Sequence, residues 1–140
     1  MNFAIAANGA VVCDASVLAA LIFGEPSSDE ALALIRSRRL LAPTLLRYEI
    51  AQAAVSKCIR EPRDAPKVLK AFVESLKVPV RLIAPSWPTI VQMAREDGLS
   101  AYDASYLQLA HSLRVPLATL DKRLADAAGG LGLLAGPLEP

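Results

Sequence analysis

The stretch Val11-Val12-Cys13-Asp14-Ala15-Ser16 decides how the rest of the chain is interpreted, because three apolar residues lead into an acid, a small residue and a hydroxyl. The apolar run is typical of a short buried strand. Ser16 is predicted to be the N-cap of a helix that continues to Ile22. Asp14 would then lie where a strand ends and a helix begins, which is the edge at which open α/β sheets bind ligands.

The same order of residue types returns near the end of the chain, in Pro116-Leu117-Ala118-Thr119-Leu120-Asp121. Further apolar runs at residues 40–42, 80–84 and 131–135 alternate with segments of helical periodicity. Such alternation is typical of βαβ units with right-handed crossovers. We therefore expect a three-layer α/β/α sandwich, with a central parallel sheet of about four to five strands and helices on both faces.

Length and composition bound the class of protein. The chain has 140 residues, a formal net charge of +1 and an apolar fraction of 54%. Its length predicts one domain over 1–140, with short tails at residues 1–10 and 136–140. No apolar run reaches the ~20 residues that a membrane helix needs, and residues 1–10 do not resemble a signal peptide. We expect a cytoplasmic protein with no membrane partner.

The two cysteines and a set of six basic residues can each be interpreted without a functional role. Cys13 and Cys58 are not at zinc-ligand spacing and are predicted to be buried, inert thiols. Six basic residues form either solvated faces or a track for a phosphate backbone. They are Arg36, Arg38, Arg39, Lys57, Arg60 and Arg63.

Three acidic residues besides Asp14 also need an explanation. Glu49 falls inside the apolar face of a predicted helix over residues 45–60, so it is either a partnered structural acid or an acid that points into a polar cavity. Asp103 stands three residues after Ser100, a spacing that is itself typical of helix capping. Asp121 could likewise serve only as an N-cap of the helix that follows it.

All four acids nevertheless map to one edge of the predicted sheet, where strand C-termini and helix N-termini meet. Four neighbouring carboxylates repel one another, and a divalent cation removes that conflict. Oxygen ligands without histidine or thiolate suit Mg²⁺ or Mn²⁺. Such an ion polarises a phosphoryl oxygen and turns a bound water into a nucleophile.

In this order and at these intervals, the motifs around Asp14, Glu49, Ser100-Ala101-Tyr102-Asp103 and Thr119-Leu120-Asp121 resemble the PIN domains, and among them the VapC-like ribonuclease toxins. The resemblance implies a Mg²⁺- or Mn²⁺-dependent endoribonuclease that leaves 5′-phosphate and 3′-hydroxyl ends. It implies that the four acids are the catalytic metal ligands. It also implies that Ser16 and Thr119 support them through hydrogen bonds.

One position departs from the family pattern. Many relatives have another acid two residues after the last motif aspartate, where this chain has Arg123. This change favours one firmly held ion over two and suggests that Arg123 supports the site by facing the scissile phosphate. Asp126, one turn later, is a candidate substitute for the missing acid.

The resemblance also implies partners: an RNA substrate, a second copy of the chain and a cognate antitoxin protein. Two alternatives stay open. One is a catalytically inactive PIN-like interaction domain. The other is a different Mg²⁺-dependent phosphoryl-transfer hydrolase on a similar fold, although Ser16 stands where a haloacid-dehalogenase-like phosphatase would need a second acid.

Overall fold

The computed structural model describes residues 9–138. Four strands form one parallel sheet. They are β1 (Ala10–Cys13), β2 (Arg39–Pro43), β3 (Val80–Ile83) and β4 (Leu117–Ala118). The order across the sheet is β3-β2-β1-β4, so β1 lies between two neighbours and is fully buried.

Seven helices flank the sheet within the described residues. They are α1 (Ala15–Ile22), α2 (Ser28–Ile35), α3 (Leu46–Arg60), α4 (Ala65–Ser75), α5 (Trp87–Asp97), α6 (Ala101–Leu113) and α7 (Lys122–Gly130). A 3-10 turn at Pro62–Asp64 joins α3 to α4. No helix in residues 9–138 is both long enough and apolar enough to cross a membrane.

The strand order determines which face each helix covers. From β1 to β2 to β3 the chain moves in one direction, and it then crosses back to β4. Right-handed connections therefore put α1 to α4 on one face and α5 and α6 on the other. Contacts agree, since α1 packs on α2, α3 and α4, whereas α6 packs on β1, β2 and β4. The predicted three-layer α/β/α sandwich is confirmed.

Successive strands are added first on one side of β1 and then on its other side. This change of direction creates a crevice beyond the C-terminal ends of β1 and β4. Val12 pairs with Leu41 on one side and with Leu117 on the other. Chain connections leave β1 and β4 towards opposite faces of the sheet, and such a switch point is where open α/β sheets bind ligands. Asp14 directly follows β1 at this position.

Three local predictions need correction. Ser16 is not the N-cap of α1; Asp14 is, because its side chain accepts the hydrogen bond from Val17 N and frees Ser16 for other contacts. The predicted strand over 116–121 is confined to β4, and that over 131–135 to one bridge between Leu117 and Leu134. Residues 1–8 and 139–140 of the predicted tails lie outside the described residues.

Candidate active site

Asp14 is the most firmly held acid of the site. Its backbone N–H donates to Ala118 O at 3.1 Å, which joins the ends of β1 and β4. Its carboxylate accepts hydrogen bonds from Val17 N at 3.2 Å and from Ser16 Oγ at 2.6 Å through Oδ1, and from Thr119 Oγ1 through Oδ2. The residue is only 5% exposed. Both carboxylate oxygens are therefore oriented by the surrounding protein.

The two hydroxyls that bind Asp14 also bind the segment after β4. Ser16 Oγ accepts a hydrogen bond from Leu120 N, and Thr119 Oγ1 accepts one from Asp121 N, both at 3.0 Å. Each hydroxyl thus donates to Asp14 and accepts from a backbone N–H near Asp121. This pair of bridges fixes the 119–121 turn against the start of α1, so Ser16 and Thr119 contact Asp14 as the supporting role requires.

Glu49 reaches the site from α3 and has a partner that sequence reasoning missed. Tyr106 on α6 donates its hydroxyl hydrogen to Glu49 Oε1 at 2.6 Å, across 57 positions of sequence. Tyr106 is 1% exposed, while Glu49 is half-buried. The apolar stripe of α6 explains why this tyrosine is buried, but no pattern in the sequence indicates which acid its hydroxyl meets.

Asp103 and Asp121 stand at the N-termini of two helices. Ser100 Oγ accepts from Asp103 N at 3.0 Å and caps α6, and a hydrogen bond with the Ser100 side chain lowers the pKa of the Asp103 carboxyl. Asp121 caps α7, since its Oδ1 accepts from Leu124 N at 2.8 Å. Asp103 is half-buried and Asp121 is exposed. The capping interpretation is thus confirmed for Asp121 and for the Ser100–Asp103 pair, and neither arrangement excludes a second role for the carboxylate.

Electrostatic interactions connect the four acids in series. Burial raises the pKa of Asp14 against the lowering effect of its hydrogen bonds. Burial also raises the pKa of Glu49, against the Tyr106 bond, and the charges of Asp103 and Asp14 raise it further. Burial first and the charge of Asp121 second raise the pKa of Asp103. Carboxylates that are distant in sequence therefore lie near enough to raise one another's pKa values.

Arg123 is a cation that the structure brings near these acids. Its charge lowers the pKa of Asp103, although burial and Asp121 keep that pKa raised overall. Arg123 and Asp126 both line an open depression of about 570 Å³ at the start of α7, together with Asp97, Lys122 and Ala127. Asp126 therefore lies beside Arg123, on the side of the site towards α5.

The donor set suits a hard divalent cation, but its members are spread along the crevice. Within the part of the chain that the structure describes, no three Asp, Glu, His or Cys side chains converge closely enough to hold one metal ion. A bound cation would offset the repulsion among these carboxylates and so would favour their closer approach. Carboxylate oxygens without sulfur or imidazole are the ligands that Mg²⁺ and Mn²⁺ prefer.

Outside the site, the prediction of a buried, inert thiol is confirmed for Cys13. Its thiol is free and buried, and burial raises its pKa. Cys58 is free and half-buried. In the basic groups, Lys57 forms an ion pair with Glu25 at 3.1 Å and Arg38 donates to Leu34 O at 2.7 Å, so these two are engaged within the protein.

The parallel sheet, with Asp14 at its β1–β4 switch point, places the chain among α/β proteins that bind ligands at the ends of their strands. Comparison with known proteins shows which family of this class it belongs to. The sequence profile of the PIN domain matches residues 11–130, a segment that includes all four acids and both hydroxyl residues. The chain belongs to the PIN domain family. The predicted resemblance to PIN domains is thereby confirmed.

Individual relatives narrow the similarity to VapC proteins. The chain is 36% identical over 121 residues to ribonuclease VapC9 of Mycobacterium tuberculosis and to VapC ribonuclease Mb0985 of Mycobacterium bovis, covering 83% of this chain and 89% of each relative. It is 32% identical over 122 residues to ribonuclease VapC3 of Pyrobaculum aerophilum, covering 83% and 92%. The resemblance to VapC-like members is therefore also confirmed.

Solved structures agree with the fold. PAE2754 from Pyrobaculum aerophilum superposes with a TM-score of 0.69 at 25% identity, covering 84% of this chain and 78% of that one. VapC20 of Mycobacterium tuberculosis, described as a sarcin-ricin loop cleaving toxin, gives a TM-score of 0.62 at 14% identity, covering 92% and 100%. The second similarity concerns the fold alone.

Proposed function

We propose that this chain is a Mg²⁺- or Mn²⁺-dependent endoribonuclease and the toxin of a toxin–antitoxin pair. The observation that carries this proposal is the series of four mutually repelling carboxylates at the β1–β4 switch point. A binding module has no need to hold unneutralised acids together. The relatives named VapC ribonucleases supply the substrate class.

Asp14, Glu49, Asp103 and Asp121 would hold the ion. When bound, the ion supplies Lewis-acid activation of a water and of a phosphoryl oxygen. The protein's own contribution begins with Asp14, whose two oxygens are already oriented by Ser16 and Thr119. Holding that carboxylate in one orientation before substrate arrives reduces the reorganisation that the reaction needs.

The cation is also needed for binding the substrate, because a cluster of carboxylates repels a phosphodiester. Arg123 lies at the same edge of the cluster and carries the opposite charge. We place it against a phosphate of the RNA, where it assists binding and favours a site with one ion. Cleavage breaks the P–O3′ bond and leaves a 5′-phosphate and a 3′-hydroxyl.

Protein partners follow from the same proposal. We expect an antitoxin that covers the acidic site and a second copy of the chain as a homodimer partner. The surface offers large exposed apolar residues on α3, α5 and α6 for such contacts. They include Tyr48, Ile59, Trp87, Val91 and Leu113.

A cleavage assay with a matched pair of variants tests the proposal. The purified protein should cut single-stranded RNA with Mg²⁺ or Mn²⁺, and EDTA should stop the reaction. Asp103→Asn should lower the rate more than about 100-fold, because loss of a ligand costs more than loss of an outer partner. Asp29→Asn, a change in the exposed first turn of α2, should leave the rate unchanged.

The alternative functions give different results in the same assay. An inactive PIN-like interaction domain would neither bind Mn²⁺ in a calorimetric titration nor cleave RNA. A different phosphoryl-transfer hydrolase would bind Mn²⁺ and hydrolyse a small phosphate ester while leaving RNA intact. Equal rates for Asp103→Asn and Asp29→Asn would contradict the assignment of Asp103 as a ligand.

A further inference from the structure

Tyr106 connects two acids of the site that lie on different helices. It stands three residues after Asp103 on α6, a spacing that puts both side chains on neighbouring parts of one helix surface. Its hydroxyl donates to Glu49 Oε1 on α3 at 2.6 Å. The bond therefore ties Glu49 to the helix that carries Asp103.

A purely structural explanation of the bond is available. A buried tyrosine needs a partner for its hydroxyl, and Glu49 would satisfy that need wherever the site's chemistry took place. This explanation does not account for the choice of partner. Asp103 and Asp14 repel Glu49, so a carboxylate is a costly acceptor at this place unless the acid is needed there.

The hydrogen bond also determines what Glu49 can do. It uses one oxygen, Oε1, and, as far as residues 9–138 show, leaves Oε2 with its lone pairs for a cation. A free glutamate side chain has several rotamers, and repulsion from Asp103 would favour those that turn away from the site. The Tyr106 ring is 1% exposed and packed in the core, so its hydroxyl is a fixed point against which the carboxylate is held.

We infer that Tyr106 is a positioning residue for metal binding: through its hydroxyl it holds the Glu49 carboxylate beside Asp103 and so raises the affinity of the site for a divalent cation. This inference rests on the proposed metal-dependent function. Groups that orient the ligands of a metal typically change its affinity by 10- to 100-fold.

The test measures Mn²⁺ binding by calorimetry rather than activity alone. Tyr106→Phe removes the hydroxyl and keeps the ring, and it should weaken Mn²⁺ binding by about 10-fold. Tyr102→Phe is the matched control, since it makes the same change on the same helix at a side chain that is 66% exposed. The control should bind Mn²⁺ as the parent does.

A double-mutant cycle shows whether Tyr106 acts through Glu49. If it does, Tyr106→Phe should weaken Mn²⁺ binding in the parent and have no further effect in Glu49→Gln, because the two changes remove one coupled unit. In the Glu49→Gln background the neutral amide leaves no unpaired charge, and a loss of Mn²⁺ affinity on adding Tyr106→Phe there would overturn the inference even if Tyr106→Phe folds poorly alone.

Each outcome separates the inference from the function on which it rests. A parent protein that binds no Mn²⁺ contradicts the proposed function itself. A parent that binds Mn²⁺, with Tyr106→Phe binding equally well and only its stability lowered, overturns the inference and leaves the function intact. Equal, additive losses from Tyr106→Phe with and without Glu49→Gln would also overturn it.

Discussion

Asp14 and Asp121 occupy equivalent positions in two strand-to-helix connections, yet the protein surrounds them differently. Each follows a strand, has an extended backbone and caps the next helix through its carboxylate. Asp14 is buried and also accepts hydrogen bonds from Ser16 and Thr119. Asp121 is exposed, and the hydrogen bond that its carboxylate accepts within residues 9–138 comes from Leu124 N.

The difference follows from the positions of the two strands. β1 lies between β2 and β4, so whatever follows it is covered by both neighbours, whereas β4 has two residues and lies beyond β1. The same sequence motif thus yields a fixed acid at the centre and a solvent-screened acid near the edge. We expect the central acid to dominate metal binding and the outer one to adjust its strength.

Replacement of each aspartate by asparagine tests this ranking and has the largest expected effect. Asparagine caps helices as well as aspartate does, so α1 and α7 should both persist. Asp14→Asn should lower Mn²⁺ affinity and RNA cleavage more than about 100-fold, and Asp121→Asn only about 10-fold. Calorimetry and a cleavage time course measure both, with circular dichroism confirming the fold. Equal losses in the two variants would contradict the ranking of the central acid, Asp14, above the outer acid, Asp121.

The bridges between the two acids provide the next test. Thr119→Val keeps the side-chain shape but removes the hydroxyl that donates to Asp14 and accepts from Asp121 N. Hydrogen bonds to charged groups contribute about 1.5–3 kcal/mol, so we expect unfolding free energy to fall by about 2 kcal/mol in urea denaturation. Thr44→Val, at an exposed position, is the control. A loss no larger than that of Thr44→Val would mean that the bridge is not stabilising.

A third test uses pH without divalent ions. The pKa values of Asp14, Glu49 and Asp103 are all raised, mainly by burial, so these groups bind protons more tightly in the folded chain than in the unfolded one. Their contribution to stability is complete below their unfolded pKa values, near 4, and is lost as pH rises through the folded values. Urea denaturation in EDTA should show stability falling from pH 4 towards neutrality.

Two variations sharpen the pH experiment. Asp14→Asn removes one of the groups with a raised pKa and should therefore flatten the decline in stability. Saturating Mn²⁺ should also flatten it, because a bound cation stabilises the ionised carboxylates. Stability that rose with pH over this range would show that the acids are neutralised within the protein and would count against a metal site.

Comparison of these regions also shows what the sequence could and could not predict. Residues around Asp14 and Asp121 indicated their strands, their helices and their common edge, because periodicity and strand-end position are local properties. Sequence reasoning puts the N-cap of α1 at Ser16, since an acid and a hydroxyl two residues apart are equally good caps, and the hydrogen bond from Val17 N to Asp14 distinguishes them. The Tyr106–Glu49 bond depends on how α3 and α6 pack, which no local pattern records.

The smallest expected effect concerns Arg123, which lies two residues after Asp121 in α7. Its charge lowers the pKa of Asp103, so it attracts a phosphodiester and repels a divalent cation at the same place. Arg123→Gln should therefore tighten Mn²⁺ binding about 3-fold and raise the KM for RNA by a similar factor, as expected for a solvent-screened charge. Calorimetry and initial rates measure the two effects separately.

The opposite signs of those two effects make this prediction specific to the role of Arg123. Arg81→Gln makes the same change of charge at an exposed position of β3, at the opposite edge of the sheet from β4, and should alter neither quantity. If Arg123→Gln weakened Mn²⁺ binding and RNA binding together, Arg123 would instead support the arrangement of the acids. The edge of the site would then be as structurally constrained as its centre, and the contrast between Asp14 and Asp121 would be one of burial without a difference in function.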